Sequence, residues 1–493
     1  MKPKKSATSV NQDRTETDVI GKVSVPREAY YGSFTARALQ NFKISNLKAD
    51  PSFKLSLAQI KIAAAQTNET LGEIGKKHAG AIIKAANEFV SGKFDDQFTL
   101  DIFQAGAGTP FNMNINEILA NRGNELLGGK KGTYSPITPN NHVNWGQSSN
   151  DVIPTAIRLA ALIKAKDLLP ELEKLSKSFF KKGEEFKKIL KVGRTHLQDA
   201  VPITLGQEFQ AYGSAIKRSH DYIKQSFEHL KEVAIGGTAL GTGITTHPKF
   251  RPLMVKNLSA LSKIRLKATK YPMELSHNMN AFVMASNGLR CLAGDLIRIS
   301  KDLRLLASGP QGAIYEITLP EVEPGSSIMP GKINPSIVEC ATMIGLQVMG
   351  NDHTIVLAAQ NSELELNVMT PVILHNLLWS IEILTSGSIM LRRQCIDGIK
   401  ANRTQCQKLL KKSLCLATGL SPYLGYKATA QLVKESLQKE IPLKELLKAK
   451  NFMADQDLET ILSAEKLTSP APTDQELKVK IATNKNFQKY LKA

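Results

Sequence analysis

The chain has 493 residues, 42% of them hydrophobic and 22% charged, which excludes a mini-protein that needs disulfides or a metal for its core, and also a disordered or fibrous chain. The formal net charge of +19 draws anions in general. With 6% aromatic residues, lysines scattered over helical faces and no zinc-finger or RNP-type motif, nucleic acid is disfavoured as the partner, and a basic surface that draws in small dicarboxylates fits as well.

The first eighteen residues, MKPKKSATSVNQDRTETD, are basic and then polar, with no apolar stretch. They read as a frayed arm and not as a secretory signal. Residues 55–91 carry apolar side chains at helical spacing, broken at Gly72 and Gly75. A second long helix is expected over 151–191, with Pro154 in its first turn and Pro170 interrupting it. Others follow over 207–233 and 277–308. Residues 336–399 give at least two more, separated near 363–370, with Pro371 marking the second. No apolar run reaches the ~20 residues of a membrane span, so no membrane partner is expected. After Asp397 the chain turns lysine-rich, with short amphipathic segments at 431–437 and 442–448. Residues 468–493 read as poorly ordered in part.

Helices this long cannot bury their apolar stripes alone, so a mainly α fold with a helix bundle is expected. Residues 372–384 (VILHNLLWSIEIL) are apolar around most of the circumference, which predicts burial against other subunits in an obligate oligomer. The expected domains are a mostly helical 1–147, a central long-helix bundle over 148–398, and a small helical 399–493 with a basic tail. Cys291, Cys340, Cys395, Cys406 and Cys415 are odd in number and form no C-x-x-C. They read as free buried thiols of a reducing, cytoplasmic setting.

Five polar stretches lie between the helices: 104–114, 139–151, 193–202, 236–246 and 323–335. Each alone is an ordinary loop; together they point to a polar site assembled from distant segments. The most telling is Gly325-Ser326-Ser327-Ile328-Met329-Pro330-Gly331-Lys332-Ile333-Asn334-Pro335. Its glycines are hinges, and its two hydroxyls, ammonium and carboxamide suit a carboxylate. A serine there can act as a base if nearby N–H groups and positive charge stabilise its alkoxide. The alternative is a turn-rich surface loop. Thr195 and His196 are adjacent and address one ligand if the backbone bends suitably. Ser148-Ser149-Asn150-Asp151 precedes a helix, as an N-cap or as an anion site. Thr109 follows the flexible Gly106-Ala107-Gly108, with Asn112 and Asn114 beyond. Gly236-Gly237-Thr238 and Gly241-Thr242-Gly243 do not form a dinucleotide fingerprint. No H-x-x-x-H or H-E-x-x-H spacing occurs, and no metal or cofactor is expected.

The loop GSSIMPGKINP resembles the signature of the aspartase/fumarase superfamily, and the resemblance runs from about Arg14 to about Pro470. It implies a three-domain fold around a central long-helix bundle, and a homotetramer whose active sites draw residues from three subunits. The implied chemistry is reversible anti elimination from a succinyl-type substrate, releasing fumarate without a redox cofactor. By motif position Ser326 is the general base. Lys332, Asn334 and Thr195 hold the α-carboxylate; Thr109, Ser148, Ser149 and Ser327 hold the β-carboxylate. Asn150 and His196 face the leaving group, and Glu339 pairs with the histidine. Within the superfamily, Ala29-Tyr30-Tyr31-Gly32, the 105–109, 128–134 and 139–144 segments and 421–426 are similar to aspartate ammonia-lyase. Thr138, Asn141 and His142 replace residues usual in class II fumarase. Ser149, Gly237, Thr246-His247-Pro248 and 347–352 lean toward fumarase, and Pro110-Phe111 departs from both. The expected activity is therefore ammonia elimination from L-aspartate, with hydration of fumarate as the alternative and a catalytically silent homologue as a third, disfavoured by the intact Ser326–Lys332–Asn334 set.

Overall fold

The computed structural model describes residues 13–492. The chain divides into two units. One takes the chain up to Pro170 together with Ser219–Ala293 and Ile344–Thr385. The other takes Glu171–Arg218, Gly294–Met343 and the chain from Ser386. Helices dominate both, and the sheets are all two-stranded.

Within the arm expected to fray, β1 (Arg14–Thr17) pairs antiparallel with β2 (Lys22–Val25). Arg14 anchors the strand by donating to the carbonyls of Pro26, Ala29 and Tyr31. Residues 1–12 lie outside the described residues. Next come α1 (Ser33–Asn41), α2 (Pro51–Thr70) and α3 (Lys76–Val90), the last two split at the expected glycines. Asp50 caps α2 by accepting from the Ser52 N–H. α4 (Thr109–Leu126) corrects the sequence reading, which took 104–114 as loop. Its asparagines are poor helix formers, but Asn112, Asn114, Asn116, Asn121 and Asn124 are all buried. Tertiary hydrogen bonding, not propensity, makes this helix. Phe111 is core, with ring centroids 5.5 Å from both Phe53 and Phe98, and Pro110 sits in the first turn, where no N–H is needed.

α5 (Ser149–Glu185) runs unbroken through Pro170, against expectation. A proline inside a helix costs about 3 kcal/mol. Here Pro170 itself is exposed, while Leu168, Leu172 and Leu175 are fully buried and hold the helix on both sides of it. The polar 193–202 stretch is another correction: β3 (Leu190–Thr195) and β4 (Gln198–Thr204) form an antiparallel hairpin with a bulge between Val192 and Arg194. α6 (Leu205–Glu228), α7 (Phe250–Ser262), α8 (Pro272–His277) and α9 (Asn280–Leu306) follow. α10 (Ser336–Gln360) and α11 (Thr370–Gln394) are separated by a two-residue hairpin at the expected break.

The long helices pack as neighbours. In the first unit Gly288 of α9 approaches Ile223 and Ser226 of α6, Ser286 of α9 donates to Asp352 of α10, and Asn351 of α10 donates to Ser380 of α11. In the second, Ser176 of α5 donates to the Gly213 carbonyl of α6. α11 is long and apolar enough to cross a bilayer, which the sequence reading did not find because His375, Asn376 and Glu382 break its apolar run. Half of its most apolar stretch is buried inside the chain.

The C-terminal region contains α12 (Arg403–Lys412), α13 (Ala417–Leu424), α14 (Tyr426–Lys439), α15 (Leu443–Lys450), α16 (Asp455–Ile461), α17 (Ala464–Thr468), α18 (Gln475–Ala482) and α19 (Lys485–Lys492). The last two replace the expected disorder. Leu477, Ile481 and Phe487 enter the local core, and the Phe487 ring lies 5.1 Å from that of Phe452. The thiols are free, but only Cys395, Cys406 and Cys415 are buried; Cys291 is exposed and Cys340 half-buried. Burial pushes the Cys395 and Cys406 thiols up to about 12, which keeps them unreactive.

Candidate active site

The sequence-predicted residues fall into two groups, one on each unit. On the second unit, the loop before α10 folds on itself. The Gly325 N–H donates to the Lys332 carbonyl at 2.8 Å, and the Asn334 amide donates to the Gly325 carbonyl. These two bonds close the neck of the loop. Gly331 has φ +77°, a left-handed turn that a side chain would strain. Ser326 Oγ accepts from two backbone N–H groups, Ile328 at 3.2 Å and Met329 at 3.0 Å. Ser326 and Lys332 line one cavity of about 480 Å³. Ile328 and Met329 project outward, 86% and 56% exposed. The loop thus offers a serine oxygen already held by two donors, with an ammonium on the same wall and two exposed apolar side chains on its outer surface.

Thr195 and His196 lie at the tip of the β3–β4 hairpin, both exposed. His196 and Leu197 have φ +57° and +60°. A two-residue hairpin loop with both centres left-handed matches the twist of its strands, but glycine or asparagine usually supplies it. A histidine held there is a local strain of the kind that collects at functional sites. Gly193 is required at the bulge, since a Cβ would lie 2.3 Å from the Val201 carbonyl oxygen.

A buried ionic network fixes the hairpin from below. Glu316, fully buried, accepts from Arg194 at 3.0 and 3.1 Å and pairs with Lys191 at 3.2 Å. Lys191 also pairs with Glu208 at 3.1 Å, whose carboxyl burial pushes up against the pull of that lysine. Glu316→Ala is expected to cost about 3–5 kcal/mol, because it leaves Lys191 and Arg194 short of a buried partner. Chemical denaturation checks this; an unchanged midpoint would remove the network as the hairpin's support. Glu339, in the first turn of α10, pairs with Arg304 at 3.5 Å. Among the described residues of one chain, the expected pairing with His196 is not made.

On the first unit, Thr109 opens α4 behind Gly108, and Ser148-Ser149-Asn150 opens α5. They are joined by Asn112, one turn into α4, whose Nδ2 donates to Ser149 Oγ at 3.1 Å. Ser148 Oγ accepts from the Asn150 N–H at 3.3 Å. The Asn150 amide donates to the Ala239 carbonyl at 2.9 Å, which ties the α5 start to the 236–246 stretch. Asp151 is more than a cap. Its Oδ1 accepts from the Ser148 N–H, and its Oδ2 accepts from Gly236 and Thr238, each at 2.9 Å. Burial drives its carboxyl up to about 7, opposed by these three N–H groups and by the field of Lys61.

Lys61 is the residue that sequence reasoning missed. It looks like one more helix lysine, yet it lies on the buried face of α2, beside Leu57 and Ala64. A lysine on the apolar side of an otherwise regular stripe was the available signal. The 139–143 segment forms one π-helical turn in which Thr138 Oγ1 accepts from the Asn141 N–H.

A family model described as Lyase matches residues 21–350, and one described as Fumarase C C-terminus matches residues 416–469. The class II fumarate hydratase of Wigglesworthia glossinidia brevipalpis is 43% identical over 456 residues, 92% of this chain and 98% of that protein. The aspartate ammonia-lyase of Bacillus subtilis (strain 168) is 41% identical over 464 residues, 94% of this chain and 98% of that protein. The solved class II fumarase of Schistosoma mansoni matches with a TM-score of 0.90 at 37% identity, covering 94% of this chain and 100% of that one. The mainly α architecture expected from the resemblance is the one these relatives share. Two family matches in series and near-full-length relatives of both kinds lead to one conclusion: the chain belongs to the aspartase/fumarase superfamily of lyases.

Proposed function

We propose that the chain is an aspartate ammonia-lyase, converting L-aspartate to fumarate and ammonia. The observation that carries the elimination chemistry is Ser326 Oγ, held by two N–H donors and sharing its cavity with Lys332. Those donors stabilise the alkoxide that a serine base requires. The alkoxide takes a proton from C3, and the electron pair passes into the β-carboxylate as an aci-carboxylate. The C2–N bond then breaks, its electrons leave with nitrogen, and C2=C3 forms as the carboxylate is restored. Lys332, Asn334 and Thr195 hold the α-carboxylate. Thr109, Ser148, Ser149 and Ser327 hold the β-carboxylate and meet its growing charge. Asn150 and His196 face the departing nitrogen. The complete site is assembled in a homotetramer, and Glu339 meets His196 between subunits.

The choice of L-aspartate rests on the segments similar to aspartate ammonia-lyase and on the π-helical turn, where Thr138, Asn141 and His142 stand in place of the fumarase residues. Class II fumarase is the second reading, favoured by relatives of that name at the same level of identity. Purified protein given L-aspartate or L-malate, followed by fumarate absorbance, separates them. Fumarate is expected from L-aspartate; fumarate from L-malate alone would replace the first reading with the second.

A further inference from the structure

Lys61 has the surroundings of a placed charge. It is fully buried, and its ammonium donates to three side-chain carbonyls: Asn112 Oδ1 at 2.8 Å, Asn144 Oδ1 at 3.1 Å and Gln147 Oε1 at 2.9 Å. An ammonium has three protons and accepts nothing, so these partners consume it. Burial pushes its pKa down to about 7, with Asp151 opposing. The three carbonyls oppose it too, since a neutral amine would turn a lone pair toward one of them.

The amide orientations follow from partners that can only accept. Gln147 Nε2 donates to the Val143 carbonyl at 3.0 Å, so its oxygen faces Lys61. Asn144 Nδ2 donates to the Gln147 carbonyl at 3.2 Å, with the same consequence. Asn112 then turns its oxygen to Lys61 and its Nδ2 to Asn144 Oδ1 and Ser149 Oγ, both at 3.1 Å. The Ser149 oxygen is therefore an acceptor on its inner side. Its proton is left to point outward, and it donates to no partner among the described residues. Ser149 is half-buried at the start of α5, where a ligand can reach it.

We propose that Lys61 and Asn112 are positioning residues that set the polarity of the Ser149 hydroxyl, so that it can only donate toward the substrate carboxylate. The proposal rests on the reading of Ser149 as a β-carboxylate ligand. A hydroxyl not so constrained can instead turn its proton inward and present lone pairs to an anion. A donor fixed outward gains strength as the second negative charge develops in the aci-carboxylate, so the relay acts more on turnover than on ground-state binding.

Lys61→Met strands the buried Asn112 and Gln147 side-chain carbonyls and is expected to fail to fold, so the test is at Asn112. Asn112→Asp keeps the side-chain size and gives Lys61 a counter-charge, but removes the N–H groups that Ser149 Oγ and Asn144 Oδ1 accept and offers Ser149 an acceptor instead. The expected result is an intact oligomer, with a lowered Tm because Asn144 Oδ1 also loses the Asn112 donor. kcat/KM for fumarate formation falls about 10²-fold, the effect of losing one oriented donor, while the Kd for succinate, a diacid that cannot eliminate, rises only severalfold. Ser149→Ala falls by a similar factor, and the double variant is no slower than Ser149→Ala alone. Wild-type kinetics in Asn112→Asp, or effects of the two changes that multiply in full, would overturn the relay while leaving Ser149 as a ligand. Wild-type kinetics in Ser149→Ala would sink the ligand reading itself, and the relay with it.

Discussion

Ser326→Ala is expected to lower kcat by about 10²–10⁴-fold, the range for removing a positioned general base, while succinate still binds. The two N–H groups now on Ser326 Oγ would lose only that acceptor, and they lie on an exposed loop where water replaces it. The fold, which does not depend on this side chain, should be untouched. Steady-state kinetics and calorimetric titration with succinate check both halves. Near-normal kcat would take the serine out of the base role, and lost binding with intact kcat would make it a carboxylate ligand.

Lys332→Ala is expected to act the other way. Its ammonium lies on the wall of the loop cavity, exposed and free of any ion pair among the described residues. A charge-assisted bond to a carboxylate contributes about 1.5–3 kcal/mol, so Kd for succinate should rise about 10- to 100-fold. Because an α-carboxylate keeps its charge through the reaction, KM should rise more than kcat falls. An unchanged Kd would remove Lys332 from the clamp. Together the two variants separate binding from proton transfer on a single eleven-residue loop.

That loop was legible because its residue types carry both its geometry and its chemistry. Gly325 and Gly331 set the turn, and the serines, lysine and asparagine need no tertiary knowledge to be picked out as candidate anion ligands. The break between α2 and α3 was equally legible, since Gly72 takes φ +76° where a side chain would be strained. The β3–β4 hairpin was not. Its alternation is interrupted by the bulge at Gly193, and its turn uses His196 and Leu197 in place of the residues that usually announce one. α4 was hidden for a related reason: five buried asparagines disguise a helix whose stability comes from partners up to 91 residues away, such as the Tyr30 carbonyl that Asn121 holds. The site showed the same division. Candidate ligand residues stood out by type, while Lys61, Asn112 and Glu316, which hold their surroundings, look ordinary until burial is known.

The central claim is that a serine hydroxyl exchanges a proton with carbon 3 of a clamped four-carbon diacid. Running the reaction backward in deuterium oxide tests it whichever leaving group the enzyme uses. Fumarate with ammonium would be supplied, and the products followed by proton NMR. The wild-type protein should yield aspartate or malate carrying one deuterium at carbon 3, in the single diastereomer of anti addition, and Ser326→Ala should incorporate label more slowly by the factor expected for its kcat. Equal amounts of both diastereomers, or label incorporated by Ser326→Ala at the wild-type rate, would contradict it.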